Sequence, residues 1–293
     1  MPGKILDGRE ISAEIREELK ERIGKLKGKG VTPGLAGILV GEDPGSAAYV
    51  RLKSKACEEV GIREEVARLP ENVKEEELLK NIERLNQDAK IHGIFIQLPL
   101  PKHLSEEKAL AAILPEKDVD GFHPMNVGKT WLGQPAFVPA VAIGIHEILI
   151  RSGYDLKDKE VVIVNVDNMV GKPLASILVQ DREKVRANVT LCYPSTPNLT
   201  SYTRRADILV VSVNKPKFIT ADMVKEGVVI MDFGSNWVED PVTKKRKTIG
   251  DVDFEAVKER AEAITPVPGG VGPMLVTMLL VNTVIAAERK TGS

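Results

Sequence analysis

Short apolar runs alternate with helically patterned stretches along almost all of the 293 residues, and that rhythm leaves few folds open. Apolar residues at Ile11, Ile15, Leu19, Ile23 and Leu26 predict a helix over about 10–28. The run 35–40, behind Pro33-Gly34, reads as a buried strand. A turn over 41–45 follows, with Ser46 expected as the N-cap of a helix over 47–60. A helix over 73–88 leads to a strand over 91–98, which stops at Pro99 and Pro101, and a further helix covers about 105–113. The apolar helix 141–150 opens a second series, with strands at 161–166, 189–193, 207–213 and 227–232 and helices around 170–180 and 221–225. A last helix, about 274–289, follows the proline- and glycine-rich stretch 266–273. The expected fold is α/β, with mostly parallel sheets in two domains, the second of them doubly wound.

Composition narrows the function classes. A formal net charge of −1 argues against nucleic acid as the main partner. No run of about 18 apolar residues reads as a membrane span, and the charged, helically patterned start does not read as a signal peptide. The two cysteines, Cys57 and Cys192, and the four histidines fall in no metal-ligand spacing. The basic run 244–247 reads as a solvated hairpin tip. A cytoplasmic enzyme is expected.

Several stretches could carry chemistry. The segment 161–178, VVIVNVDNMVGKPLASIL, has the strand, turn and helix of a phosphate-binding site but a single glycine, Gly171. Tyr49 and Lys53 are four apart, hence on one helix face, although most such pairs are surface decoration. Gln97 sits at the carboxyl end of a buried strand, where open α/β sheets bind ligands; satisfying loop backbone is an equal alternative. Asp118 and Asp120 share a turn that Asx-turn chemistry explains well, with a carboxylate aimed at an amino-heterocycle as the sharper alternative. His123 reads as structural.

The order of YVRLKSKA, GIFIQLPLP, KDVDGFHP and ITPVPGGVGPM over the chain resembles the bifunctional methylenetetrahydrofolate dehydrogenase/methenyltetrahydrofolate cyclohydrolase family, the FolD type. The resemblance implies a folate-binding catalytic domain over 1–138 with 273–293, and a Rossmann-like dinucleotide-binding domain over 139–272. In the family these face each other across a folate-holding cleft, and the C-terminal helix returns to the first domain. Carried over by motif, Tyr49 stacks on the aminobenzoate ring, Asp120 holds the pterin, and Lys53 moves protons with Gln97 positioning it. Leu98, Pro268, Gly269 and Gly270 border the substrate. The implied activities are NAD(P)-dependent oxidation of 5,10-methylene-tetrahydrofolate and hydrolysis of the 5,10-methenyl product to 10-formyl-tetrahydrofolate, in a homodimer.

The cofactor half departs from the family pattern. Asn165, Val166 and Asp167 stand where Gly-Arg-Ser is usual, while Gly171 persists. Ser195 follows Tyr193-Pro194, Asn214 replaces a glycine, and Ser235 lies in Asp-Phe-Gly-Ser-Asn. Those seven residues are the expected cofactor contacts. Loss of the arginine removes the natural partner of a 2′-phosphate, and Asp167 would repel it, so NAD is favoured over NADP. Two further readings stay open: a cyclohydrolase without dehydrogenase activity, and a non-catalytic folate-binding relative. No metal is expected.

Overall fold

The structure, a computed structural model, describes residues 2–181, 185–239 and 246–292. It forms β1 (Lys4–Ile5), α1 (Gly8–Gly28), β2 (Gly34–Val40), α2 (Pro44–Val60), β3 (Arg63–Leu69), α3 (Glu75–Gln87), β4 (Gly93–Ile96), α4 (Glu106–Ala112) and α5 (Pro124–Trp131). Then come α6 (Ala140–Arg151), β5 (Glu160–Val164), α7 (Gly171–Leu178), β6 (Asn188–Cys192), α8 (Leu199–Thr203), β7 (Ile208–Val211) and β8 (Val229–Asp232). The chain ends with β9 (Asn236–Glu239), β10 (Arg246–Ile249), α9 (Phe254–Val257), β11 (Ala263–Ile264) and α10 (Val271–Thr291).

These elements divide into two units. One holds residues 13–140 and 276–293, built on a three-stranded parallel sheet in the order β3-β2-β4. The other holds 1–12 and 141–275, built on a six-stranded parallel sheet in the order β1-β11-β8-β7-β5-β6. Residues 1–12 therefore join the larger sheet, because Lys4 and Ile5 pair with Ala263 and Ile264. The sequence reading had placed them with the first domain.

Parallel strands covered on both faces need apolar side chains throughout, which is why β2, β4, β7 and β8 are buried at every position. In the smaller sheet, Ile38, Ile94 and Ile96 pack with Leu78, Ile82 and Leu85 of α3. In the larger, Val162, Val164, Leu209, Val211 and Ile230 share a core with Val252 and Val257. From β5 the chain runs to β6 on one side and then to β7 on the other, so the strand order reverses at β5 and β7. Loops at the carboxyl ends of those strands form the usual ligand position of such sheets.

Some expectations need correction. Helix α2 starts at Pro44, and its cap is Asp43, whose Oδ2 accepts from the Ser46 amide at 2.7 Å. Proline pre-set for the first helical position moves the start two residues ahead of the expected cap. The helix expected around 221–225 is a single 3-10 turn, Ala221–Met223. Among the described residues one helix, Val271–Thr291, is long and apolar enough to cross a membrane, contrary to the expectation from sequence; 67% of its apolar window is buried, as in a core helix. Strands β9 and β10 pair antiparallel. Lys244 and Lys245 of the expected hairpin tip lie outside the described residues, and Arg246 is exposed.

Candidate active site

The first group of predicted residues lies in the three-stranded unit. Tyr49 and Lys53 share α2 but differ in burial: the tyrosine is 48% exposed and the lysine 8%. Lys53 Nζ donates to Gln97 Oε1 at 3.2 Å and stands 3.9 Å from the centroid of the Phe95 ring. Gln97 follows β4 directly, and its Nε2 donates to the Leu98 carbonyl at 3.1 Å, which turns Oε1 toward the lysine. Phe95 is fully buried and opposes Gly37 across the β2–β4 register. A Cβ at Gly37 would overlap that ring, so the glycine makes room for the surface on which the ammonium rests.

The two aspartates of the shared turn separate cleanly. Asp118 is fully buried; its Oδ1 accepts from the Gly121 and Phe122 amides at 3.1 and 3.2 Å. Its Oδ2 accepts from the His123 amide and Asn126 Nδ2 at 2.8 and 2.9 Å. This is the Asx-type organiser. Next to it, Lys117 Nζ donates to the Leu85, Asn86 and Asp88 carbonyls at 2.9, 2.6 and 2.8 Å, closing the end of α3. The segment runs beside β4 through an Ile94–Asp118 bridge, so Asp120 emerges near the strand end that carries Gln97. Asp120 is half-buried and has no hydrogen-bond partner among the described residues. His123 Nδ1 accepts from the Met125 amide at 3.0 Å and caps α5, a structural role.

Electrostatics concentrate on Lys53. Burial holds its pKa below the usual lysine value, opposed by the carboxylates of Asp120 and Glu64. Burial raises Asp120, and Lys53 opposes the rise. Asp118 is raised to about 7 because burial outweighs its donors. The Cys57 thiol, one turn beyond Lys53, is pushed to about 12 by burial and then by Glu64. Glu64 of β3 is itself raised by burial, and its Oε1 is buried without a hydrogen-bond partner. An amine shifted toward its neutral form, fixed by an amide oxygen and flanked by carboxylates, can accept a proton and return it.

The second group lies in the six-stranded unit. After β5, Asn165 is 8% exposed, Val166 half-buried and Asp167 exposed. Asn165 Nδ2 donates to the Ser212 carbonyl at 2.7 Å and to Asp167 Oδ2 at 2.9 Å. Its Oδ1 accepts from the Asp167 and Gly171 amides at 2.7 and 3.2 Å. A Cβ on Gly171 would collide with the Asn165 carbonyl, so this one glycine lets α7 close onto the turn. Ser195 is exposed beyond β6, and Ser235 is exposed beyond β8. Asn214, exposed beyond β7, has φ 53°, a conformation that asparagine tolerates in place of glycine. Asp251 fixes that loop: its Oδ2 accepts from the Val213 and Asn214 amides at 2.5 and 3.0 Å, and its Oδ1 from Lys215 at 2.8 Å. All seven expected cofactor residues thus stand at carboxyl ends of β5, β6, β7 and β8 or at the start of α7.

The loop carrying Pro268, Gly269 and Gly270 also belongs to the six-stranded unit, where the Gly8 amide donates to the Gly269 carbonyl at 3.0 Å. It is therefore in a different unit from Tyr49, Lys53, Gln97, Leu98 and Asp120. Sequence reasoning missed Phe95, Glu64 and Asp251. Phe95 showed only as an apolar strand residue; Glu64 was one charge among several in REEVARL; Asp251 gave no local signal at all.

Two family models match: the tetrahydrofolate dehydrogenase/cyclohydrolase catalytic domain over residues 6–120, and the NAD(P)-binding domain of the same enzymes over 139–291. The chain belongs to this family. A bifunctional protein FolD of Dehalococcoides mccartyi (strain CBDB1) is 52% identical over 293 residues, covering 100% of this chain and 99% of the relative. Among solved structures, the bifunctional FolD methylenetetrahydrofolate dehydrogenase/cyclohydrolase of Campylobacter jejuni superposes with a TM-score of 0.93 at 45% identity, over 98% of this chain and 99% of that one. The Trypanosoma brucei enzyme, solved with NADP and an inhibitor, gives a TM-score of 0.93 at 36% identity over 100% of both chains. Family membership brings NAD(P) with it, and the parallel sheet with its exposed polar loop residues fits a dinucleotide.

Proposed function

We infer that this chain carries both activities of its family, oxidising 5,10-methylene-tetrahydrofolate and hydrolysing the 5,10-methenyl product to 10-formyl-tetrahydrofolate. Full-length identity of 52% to proteins described as bifunctional favours this over hydrolysis alone and over a non-catalytic relative. The observation that carries the hydrolytic half is the buried Lys53 ammonium held by Gln97 Oε1 over the Phe95 ring. In the proposed division of labour, the exposed Tyr49 ring stacks on the aminobenzoate, and the unpartnered Asp120 carboxylate accepts from pterin N–H groups. Leu98, next to Gln97 after β4, borders the folate. Neutral Lys53 takes a proton from water as its oxygen bonds to the methenyl carbon. The same proton is then delivered to the ring nitrogen as the C–N bond breaks, while the hydroxyl of the water adduct gives its remaining proton to solvent as the formyl C=O forms; the lysine ends as it began and one proton is released overall. Bound NAD(P) supplies the hydride acceptor for the oxidation. Replacing Lys53 by Met keeps the bulk and removes the amine; hydrolysis should fall at least 100-fold while NAD(P) affinity is kept. Unchanged turnover of the methenyl substrate would sink this assignment.

NAD is the proposed preference. Asp167 presents an exposed carboxylate at the turn, and no arginine stands at positions 165–167, so a 2′-phosphate would meet repulsion without a bidentate partner. The nearby Lys172 ammonium donates to Asn168 Oδ1 at 2.8 Å. Asn165, Val166, Gly171, Ser195, Asn214 and Ser235 complete the proposed contacts. Titrating NAD and NADP in parallel tests the preference, and tighter NADP binding overturns it. The enzyme is further proposed to act as a cytoplasmic homodimer, which sedimentation of the purified protein checks at the level of assembly.

A further inference from the structure

The start of α7 has no free amide to offer. The Met169 and Val170 amides donate to Asp167 Oδ1 at 2.9 and 2.7 Å. The Gly171 amide donates to Asn165 Oδ1 at 3.2 Å, and the Lys172 amide to the Asp167 carbonyl at 3.1 Å. Residue 173 is proline and has no N–H. A helix start binds phosphate because its first N–H groups lack partners and carry the positive end of the dipole. Here those donors are satisfied from within, and the negative charge that the dipole favours is already supplied by the chain. Asn165 closes the position from the other side. Its amide spans the crevice between the ends of β5 and β7 to the Ser212 carbonyl, and it also holds Asp167 Oδ2 in place.

We propose that the Asn165–Asp167 pair is a built-in anion that fills the phosphate cradle of the β5–α7 turn, so that cofactor phosphates are not bound by the α7 amides. The exposed carboxylate instead receives hydroxyl donors, the chemistry of a ribose without a 2′-phosphate. This rests on the reading that the six-stranded unit binds NAD(P), and adds how the turn discriminates: by occupied donors rather than by charge alone.

Two substitutions separate those causes. Asp167→Asn removes the charge but keeps an Oδ1 acceptor for the Met169 and Val170 amides. Asp167→Ala removes both. Each variant is first checked for a native circular-dichroism spectrum and a single melting transition. Dissociation constants for inorganic pyrophosphate, NAD and NADP are then measured by calorimetry. The expected result is that Asp167→Ala binds pyrophosphate and NADP at least tenfold more tightly than the parent, whereas Asp167→Asn stays within about threefold. Equal gains in both variants would show that charge alone excludes phosphate and overturn the proposal. No gain in either would mean that these amides are not a phosphate site, which overturns it as well. A parent protein that prefers NADP to NAD contradicts the cofactor preference, while the pyrophosphate comparison still decides the role of the pair.

Discussion

At Lys53, one buried amine answers to several charges, and their balance sets when it can act. Burial is the largest influence and favours the neutral form; the Asp120 and Glu64 carboxylates favour the cation. Glu64 is the informative one to change, since it is assigned no contact with substrate. Replacing it by Gln removes a negative charge and lowers the Lys53 pKa further. Methenyl hydrolysis requires neutral Lys53, so kcat/KM should rise with pH and level off, and in Glu64→Gln the midpoint should move to lower pH. Profiles corrected for uncatalysed hydrolysis give the answer; a midpoint that stays put or rises contradicts the coupling. Residue-scale features were legible in the sequence only as types. Asp118 and Asp120 look alike in KDVDGF, and only the fold shows that four donors claim Asp118 and none claims Asp120. Likewise, i,i+4 spacing places Tyr49 and Lys53 on one face but says nothing of their opposite burial.

Elements carry the site through close packing. The pairing of Gly37 with Phe95 is the clearest case, because β2 lies between β3 and β4 and has no freedom to retreat. In Gly37→Ala the new methyl must displace the Phe95 ring, and the Lys53 ammonium rests on that ring. Overpacking of this kind costs about 1–3 kcal/mol. The urea midpoint should fall accordingly, and the hydrolytic kcat should drop more than tenfold, with NAD(P) affinity retained. A variant with parental kcat would show that Phe95 does not locate the lysine. Runs of uninterrupted apolar residues made β2, β4, β5, β7 and β8 readable, within a few residues at the ends. Strand β3 escaped notice because REEVARL mixes four charges into an edge strand that is only half-buried. The two-residue strands β1 and β11 have too little sequence to show a period, and their pairing depends on segments more than 250 residues apart.

Over the whole molecule, each unit encloses a carboxylate that holds loop backbone, Asp118 in one and Asp232 in the other, the latter beside the equally buried Asp251. Asp118 organises the turn beside β4. Asp232, at the end of β8, accepts from the Gly234 and Asp251 amides on Oδ1 at 2.8 and 3.0 Å and from Val252 on Oδ2 at 3.0 Å. Two-domain α/β architecture was legible from the alternation of elements, but these anchors were not, since their donors come from loops that sequence order keeps apart. Both carboxyls are raised from 3.8 to about 7, mainly by burial, which outweighs the donors that favour ionisation. The sign of the consequence follows from proton counting. Between about 4 and 7 the native state binds more protons at these sites than the unfolded chain, so stability falls as pH rises through that window. Their contribution is complete below the unfolded value and lost above about 7, opposite in direction to acid denaturation by surface ion pairs. In Asp232→Asn the side chain cannot ionise, and its Nδ2 faces the Val252 amide, so the variant should be less stable overall by about 1–3 kcal/mol. Its stability should nevertheless change less than the parent's between pH 5 and 7.5, because one of the two titrating groups is gone. Denaturant titrations at several pH values give both quantities, and a variant whose pH slope matches the parent's would remove Asp232 from the proton balance of folding.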